Sequence, residues 1–482
     1  VIIISITGPS MKEALRQIAS SERYADMFEF RLDLIRRCDL RRLLPSTKKA
    51  AIATCRPTWE GGAYGGEESE RFRMLLRAAD AGAKYLDIEL KAFDRFRRAL
   101  AGKPAPCRLI VSRHLRTASA AKARESFDAL EGTGADCIKL AYPAGDAADI
   151  ALAREFLSRA RRRGRKGICI AMGEAGEASR ILYRKFGGWA TYAAAESGEP
   201  AAPGQVKGKE LKTLFRAHRL NRATKVFGVV GNPVSQSKGI YLHNSLFRGL
   251  NSVYCRFPVI DLPRFMSDVS PILRGFSVTL PHKSAILKYL EDADAAALGI
   301  GAANTVLRKG KQLTGTNSDA RGALDAIEKV RRVRGTRMLI LGAGGAARAI
   351  AFEARRRGAS ITIANRTASR GRRLARELAV HSVPWSEIPA TPCDIVVNAT
   401  PVGMSPHAKC TPVPARLLKA KVVFDCVYNP PVTRLLREAR RRGARVVSGV
   451  EMFLNQAAIQ SRLYTGRVPD RAVMKRVVAR YL

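Results

Sequence analysis

Two segments of this 482-residue chain combine residue types whose spacing could do chemistry. Val278-Thr279-Leu280-Pro281-His282-Lys283 carries an apolar run into a lysine, and Leu341-Gly342-Ala343-Gly344-Gly345-Ala346-Ala347 closes another that starts at Arg337. The second segment reads as a strand, a glycine turn and a helix start. Glycines at such a turn let the backbone approach a pyrophosphate, and the helix N-terminus offers unpaired amide donors to the anion. Alone the motif is weak, because many strand–helix turns carry glycine. The next apolar run, Ser360 to Ala364, ends in Asn365-Arg366-Thr367, with Arg370 close behind. A ribose hydroxyl favours an acid there, whereas an arginine suits a 2′-phosphate, so Arg366 points to NADP.

A second set of chemically capable residues lies in the first half. The apolar runs Val1–Thr7, Met27–Leu32, Ala50–Cys55, Tyr85–Leu90, Arg108–Ser112, Cys137–Ala141, Gly167–Ala171 and Trp189–Ala194 alternate with amphipathic, arginine-rich stretches. That alternation predicts an α/β architecture beginning with a (β/α)8 barrel, which places its chemistry at the C-terminal ends of the strands. The polar residues ending these runs are Glu29, Arg31, Arg56, Glu89, His114 and Lys139, with Arg180 just after the seventh. A lysine there can serve as an amine nucleophile and a histidine as a proton carrier. Singly, each has a plainer reading, as a snorkelling lysine or a satisfied core histidine. The joint pattern favours a site.

These residues resemble type I 3-dehydroquinate dehydratase from about Val1 to Val206. The carrying motifs are Glu29-Phe30-Arg31-Leu32-Asp33, Thr54-Cys55-Arg56, Asp87-Ile88-Glu89, Ser112-x-His114, Asp136-x-Ile138-Lys139, Ser179-Arg180 and Ala202-Pro203-Gly204-Gln205. The resemblance implies that Lys139 forms a Schiff base with the substrate ketone. It implies that His114 moves the ring proton, that Glu89 orients the imidazole, and that Arg180 and Gln205 clamp the carboxylate. Glu29, Arg31 and Arg56 would hold ring hydroxyls. The family often has a serine where this chain has Ala201, so one substrate-loop hydroxyl is missing.

From about Val226 onward the chain resembles shikimate dehydrogenase. The matching pieces are Gly231-Asn232-Pro233, Ser237-Lys238, Val278-Thr279-x-Pro281-x-Lys283, Gly301-Ala302-Ala303-Asn304-Thr305, Asn317-Ser318-Asp319, the glycine loop, Asn365-Arg366-Thr367, Asn398-Ala399-Thr400-Pro401-x-Gly403-Met404, Tyr428-Asn429-Pro430 and Gly449-x-x-Met452-x-x-x-Gln456-Ala457. The resemblance implies a Lys283–Asp319 catalytic pair, with Ser237, Thr279, Asn304, Tyr428 and Gln456 around the substrate. NADP would lie on Gly342, Ala343, Gly344, Gly345, Ala346, Asn365, Arg366, Thr367, Arg370, Thr400 and Gly449. Together the halves resemble bifunctional enzymes that turn 3-dehydroquinate into 3-dehydroshikimate and then shikimate, with no metal. The family usually has a second serine where this chain has Gly239, which opens a quinate dehydrogenase alternative.

These motifs suggest four segments: a barrel over 1–206, a polar, basic and partly helical linker over 207–225, a substrate domain over 226–320 and an NADP domain over 321–449. The helical segment 450–482 would return to the substrate domain. The formal charge of +42 raises a rival of another class, a basic nucleic-acid-associated protein with vestigial sites. The arginines are patterned, however. Glu353-Ala354-Arg355-Arg356-Arg357-Gly358-Ala359 recurs as Glu438-Ala439-Arg440-Arg441-Arg442-Gly443-Ala444, and Arg161-Arg162-Arg163-Gly164 echoes both. Cations followed by glycine mark helix C-termini, so no nucleic-acid partner is expected. No apolar run has transmembrane length, so no membrane partner is expected. The nine scattered cysteines lack a zinc signature and read as reduced, core residues of an intracellular protein. The expected location is cytoplasmic, with a plastid left open because the chain starts at Val1 inside a strand.

Overall fold

The computed structural model describes residues 1–100, 105–117 and 119–481. In the first half the eight apolar runs become eight parallel strands: β1 (Ile2–Ile6), β2 (Met27–Arg31), β3 (Ala50–Thr54), β4 (Tyr85–Glu89), β5 (Arg108–His114), β6 (Cys137–Pro143), β7 (Lys166–Met172) and β8 (Thr191–Ala194). Their order is β7-β6-β5-β4-β3-β2-β1-β8, so the sheet curls into a barrel whose edge strands are β7 and β8. Ile3, Met27, Ile52, Tyr85, Ile110, Cys137, Ile168 and Tyr192 pack together as one buried cluster. Ser10 caps the helix Met11–Ser21, accepting from Glu13 N, and helices follow most strands as the alternation requires.

The segment 207–225 carries short helical turns. Residues 210–214 form a π-helical turn and Ala217–Arg219 a 3-10 turn, and Leu211, Phe215 and Ala217 are buried. Lys212 pairs with Asp26 at 2.9 Å, and Lys185 donates to the Thr224 carbonyl at 2.7 Å. A polar, basic composition masked three buried apolar side chains. The segment belongs to the first of two compact units, which comprises Val1–Val226, Pro233–Ser235 and Gly249–Ile272. That unit also holds the strand β10 (Ser252–Pro258), whereas the preceding strand β9 (Lys225–Gly231) lies mostly in the second unit. By contacts, 249–272 groups apart from most of the 226–320 segment expected as a substrate domain.

The second unit comprises Phe227–Asn232, Gln236–Arg248 and Leu273–Leu482. It holds β11 (Leu273–Val278), β12 (Asp292–Ala293), β13 (Thr305–Lys309) and β14 (Gln312–Thr316), ordered β9-β11-β13-β14-β12. Its other sheet is parallel, from β15 (Arg337–Leu341), β16 (Ser360–Ala364), β17 (His381–Val383), β18 (Ile395–Asn398), β19 (Val422–Asp425) and β20 (Arg445–Ser448). The order β17-β16-β15-β18-β19-β20 is the doubly wound dinucleotide-binding arrangement, reversing between β15 and β18. The helix Gly449–Thr465 runs back along the helix Ser318–Glu328, where a Cβ on Gly322 would lie 2.8 Å from Gln456 N.

The arginine clusters sit where the sequence pattern put them. Gly164, Gly358 and Gly443 follow helix ends with φ of +69°, +89° and +79°, the left-handed conformation glycine tolerates. Among the described residues no helix is long and apolar enough to cross a membrane. Because Phe215 is fully buried, Phe215→Ala should cost about 3–5 kcal/mol. Chemical denaturation followed by fluorescence checks this, and a loss below about 1 kcal/mol would show that Phe215 does not anchor the segment.

Candidate active sites

Strand alternation sends Asp87 and Glu89 of β4 to the same face, and that face is the barrel interior. Both are fully buried, and cations from neighbouring strands meet them. Arg56, just beyond β3, places Nη2 3.0 Å from Asp87 and Nη1 2.8 Å from Glu89. Arg71 adds a second contact to Glu89 at 2.5 Å. Lys139 of β6 donates to Asp87 Oδ2 at 2.9 Å, lies 3.6 Å from Glu29, and rests over the Tyr192 ring at 4.1 Å. Burial pushes the Asp87 carboxyl up, but Arg56 and Lys139 outweigh it and hold it well below the carboxylate range. Glu29 is held by Ser5 Oγ at 2.8 Å and Thr54 Oγ1 at 3.1 Å, and Arg31 by Asp33 at 2.7 Å.

One expected role fails here. Glu89 does not reach His114, because its two oxygens are taken by Arg56 and Arg71. The carboxylate beside the imidazole is Glu60, from the 3-10 turn after β3. Its Oε1 accepts from the His114 backbone N–H at 2.7 Å and lies 3.3 Å from Nδ1. Burial, opposed by Arg56, raises the Glu60 carboxyl to about 7. Burial lowers His114 well below 6.5, with Arg56 and Lys139 pushing the same way. A neutral imidazole beside a carboxylate is a poised proton acceptor.

These groups line a cavity of about 370 Å³ that includes Glu29, Arg31, Arg56, Glu60, His114, Lys139, Arg180 and Gln205. Arg180, on the helix Glu177–Ile181, is 1% exposed, its Nε has no hydrogen-bond partner, and burial lowers it to about 10 despite Glu177. A buried, unmatched guanidinium in a cavity wall suits a carboxylate ligand. Gln205 turns toward the loop, accepting from Ala201 N at 2.8 Å. Glu60 and Tyr192 escaped the sequence reading. Glu60 sits on a loop with no periodicity, and Tyr192 on the least regular run. Asp87 shares a motif with Glu89 that gave it no role, although their i,i+2 spacing on a strand puts both on one face.

In the second unit Lys283 Nζ donates to Asp319 Oδ2 at 2.7 Å. Lys283 follows β11 and a cis Leu280–Pro281 bond, and Asp319 opens the helix capped by Asn317. Asn304 joins them: its Oδ1 accepts from Ser318 N at 2.8 Å, while Ala303 N donates to the Lys283 carbonyl at 2.9 Å. Thr279 N donates to Val230 at 2.9 Å, and a Cβ on Gly231 would strike the Thr279 side chain. Burial raises the Tyr428 hydroxyl, and Asp319 adds to it. The Tyr428 ring stacks on Phe453, whose carbonyl accepts from Gln456 at 3.1 Å. Ser237 is half-buried ahead of the helix Gly239–Leu246 and shares no hydrogen bond with this group among the described residues.

The glycine turn fits a nucleotide. Gly342 has φ +115° and its added Cβ would lie 3.0 Å from the Ala399 carbonyl, whereas Gly344 and Gly345 face open space. Gly344 caps the helix Gly345–Arg356, leaving Ala343 and Ala346 on the same exposed turn. Across the sheet reversal, Asn398 Oδ1 accepts from Thr400 N at 3.0 Å and Thr400 Oγ1 at 2.7 Å. Asn365 donates to the Thr367 carbonyl at 2.8 Å, and Arg366 and Arg370 are exposed beyond β16. Gly449 is buried at the start of the C-terminal helix, where a Cβ would meet the Cys426 carbonyl at 2.4 Å, so it has a packing reason of its own.

Comparisons with known proteins match both halves. Residues 2–222 match the model for type I 3-dehydroquinase, 229–306 the shikimate dehydrogenase substrate-binding domain, 325–408 shikimate/quinate 5-dehydrogenase, and 449–479 the shikimate 5′-dehydrogenase C-terminal domain. A chloroplastic bifunctional 3-dehydroquinate dehydratase/shikimate dehydrogenase from Arabidopsis thaliana is 36% identical over 99% of this chain and 84% of its own. A shikimate dehydrogenase (NADP+) from Methanothermobacter thermautotrophicus is 42% identical over 54% of this chain and 97% of its own. A crystal structure of a shikimate dehydrogenase with NADP+ is 38% identical with TM-score 0.51, covering 54% of this chain and 96% of that one. One from Thermus thermophilus with NADP(H) and shikimate is 36% identical with TM-score 0.50, over 54% and 100%.

The His114 environment makes a direct prediction. Its depressed folded-state value favours the neutral ring, so nuclear magnetic resonance titration should place the midpoint below 6.5. Removing the Arg56 charge should move that midpoint up. A midpoint at or above 6.5 in the unmodified chain would refute the assigned environment.

Proposed function

We propose roles for these residues from the premise that this chain belongs to the family of bifunctional 3-dehydroquinate dehydratase/shikimate dehydrogenases. It is a lyase and an oxidoreductase of the shikimate pathway, converting 3-dehydroquinate to 3-dehydroshikimate and that product to shikimate. The observation that carries the dehydratase reading is the buried Lys139 amine facing a cavity with His114 and Glu60 on one side and Arg180 on another.

In the proposed dehydration, Arg180 and Gln205 take the substrate carboxylate, and Glu29, Arg31 and Arg56 take ring hydroxyls. Lys139 Nζ adds to the ketone and expels water, leaving an imine. His114, aligned by Glu60, removes the adjacent ring proton, and the electron pair enters the imine. Electrons then return to expel the ring hydroxyl, which leaves as water with the proton that His114 carries. Hydrolysis frees 3-dehydroshikimate and restores the amine. Asp87 orients Lys139, and Glu89 balances Arg56 and Arg71.

In the second unit the residues that would hold NADP are the Gly342–Ala346 turn, Thr400, and Asn365 to Thr367 with Arg370. A bound nicotinamide supplies the hydride for the ketone. Lys283, held by Asp319, delivers the proton to the ketone oxygen, and Thr279, Asn304, Tyr428, Gln456 and Ser237 orient the ring. Shikimate is the favoured product. Gly239, at the first residue of its helix, removes a hydroxyl found in relatives and leaves room for the extra hydroxyl of quinate, so weak quinate oxidation is the second reading.

Borohydride with 3-dehydroquinate should add ligand mass to the Lys139 peptide, and Lys139→Ala should lose both labelling and turnover; retained turnover would sink the assignment. Because Glu60 is anionic above about 7, dehydratase kcat/KM should fall as pH drops through that value, and Glu60→Gln should remove that limb. Arg366→Ala should raise the NADPH Michaelis constant about tenfold, the lower end for a charged contact because the side chain is exposed, and leave NADH nearly unchanged. Equal losses with both cofactors would show that Arg366 does not read the phosphate. Oxidation of shikimate and quinate by the unmodified chain compares the two substrates, and a higher efficiency with quinate would reverse their order.

A further inference from the structure

Arg180 needs its charge free for a ligand, yet a carboxylate sits three residues away on the same helix. Glu177 is the charged group that acts on Arg180, and an i,i+3 pair of this kind can close on itself. If it did, the arginine would be neutralised before substrate arrived. In the structure Glu177 pairs elsewhere. Arg256 Nη1 lies 3.2 Å from Glu177 Oε2 and 3.4 Å from Oε1, with both side chains 15% exposed. Burial pushes the Glu177 carboxyl up, and Arg256 is the cation that opposes it.

Arg256 comes from β10, inside the stretch matched by the shikimate dehydrogenase substrate-binding model, but in the same compact unit as the barrel. Its seat is fixed by more than one contact. Asp146, after the strand that carries Lys139, accepts from Ile260 N at 2.5 Å and Asp261 N at 3.0 Å. Arg264 pairs with Asp149 at 2.7 Å. Residues 256–264 thus lie on the loops after β6 and β7, which lead from Lys139 and to Arg180.

We propose that Arg256 is a positioning residue of the dehydratase: it holds Glu177 away from Arg180, so the carboxylate clamp of the barrel is complete only with β10 in place. This rests on the reading of Arg180 as the clamp for the 3-dehydroquinate carboxylate. The mechanism is electrostatic, which gives it a signature that packing lacks. Removing the arginine should weaken substrate binding, and removing the glutamate as well should repair it.

The test uses the full chain. Arg256→Met keeps the aliphatic bulk and should raise the dehydratase KM for 3-dehydroquinate about three- to tenfold with kcat little changed. Arg256→Met with Glu177→Gln should return KM to near its original value. Shikimate oxidation by the same preparations reports whether the chain is folded. Arg180→Met is measured in parallel and should raise KM further than Arg256→Met. An unchanged KM in Arg256→Met, with Arg180→Met raised, overturns the proposal alone. A raised KM that Glu177→Gln fails to repair also overturns it, because Arg256 then acts by packing. An unchanged KM in Arg180→Met overturns the clamp reading together with the proposal.

Discussion

The barrel site depends on mutual neutralisation of buried charges. Three acids, Glu29, Asp87 and Glu89, and three cations, Arg56, Arg71 and Lys139, interlock within the barrel with contacts of 2.5–3.6 Å. Removing one member of a buried pair leaves its partner uncompensated, a loss of about 3–5 kcal/mol. The set therefore behaves as one object. Lys139 can be buried because Asp87 and Glu29 flank it. Glu89 is unavailable to His114 because Arg56 and Arg71 require it.

The second unit solves a related problem with hydrogen bonds. Asp425, fully buried at the end of β19, accepts from Asn398 at 2.9 Å, Val427 N at 3.0 Å and Thr433 Oγ1 at 2.6 Å, and burial nevertheless raises it to about 6. Asn398 in turn fixes Thr400 beside the glycine turn. One carboxylate thus ties the turn at Thr400 to the turn that presents Tyr428. Close packing of Gly322 on the Gln456 backbone holds the Asp319 helix against the C-terminal helix in the same way.

Much of this was legible in the amino-acid order, and for identifiable reasons. The strands of the barrel announce themselves by apolar runs, and the parallel sheet by a glycine turn followed by a second run ending in Asn365-Arg366. Lys139, His114, Lys283 and Asp319 stand at element ends, where position restricts role. Glu60 was invisible because a loop carries no period, and the assignment of the imidazole partner went to Glu89, a strand residue of the right type. The burial of Leu211 and Phe215 was hidden among lysines, since composition averages over a segment while packing acts on single side chains. The grouping of 249–272 with the barrel depends on tertiary contacts of Arg256 with Glu177, of Arg264 with Asp149, and of the Ile260 and Asp261 N–H groups with Asp146, the last two acids lying more than a hundred residues earlier. No local pattern encodes that.

The barrel's hydrogen-bonded ladder stops between β7 and β8 among the described residues, although Trp189 N reaches the Gly167 carbonyl at 2.9 Å near the strand starts. Higher up, the Arg180 guanidinium lies across that seam, donating to the Tyr192 carbonyl at 3.4 Å and the Pro203 carbonyl at 3.4 Å. This side chain is thus also a rivet beside the backbone bonds of the seam, among them Gly173 N to the Pro203 carbonyl at 3.2 Å. Local openings of a fold concentrate where backbone bonds are fewest. Filling the cavity would then stiffen the seam, and the exchange of amide hydrogens in β8 would report occupancy from the far side of the wall.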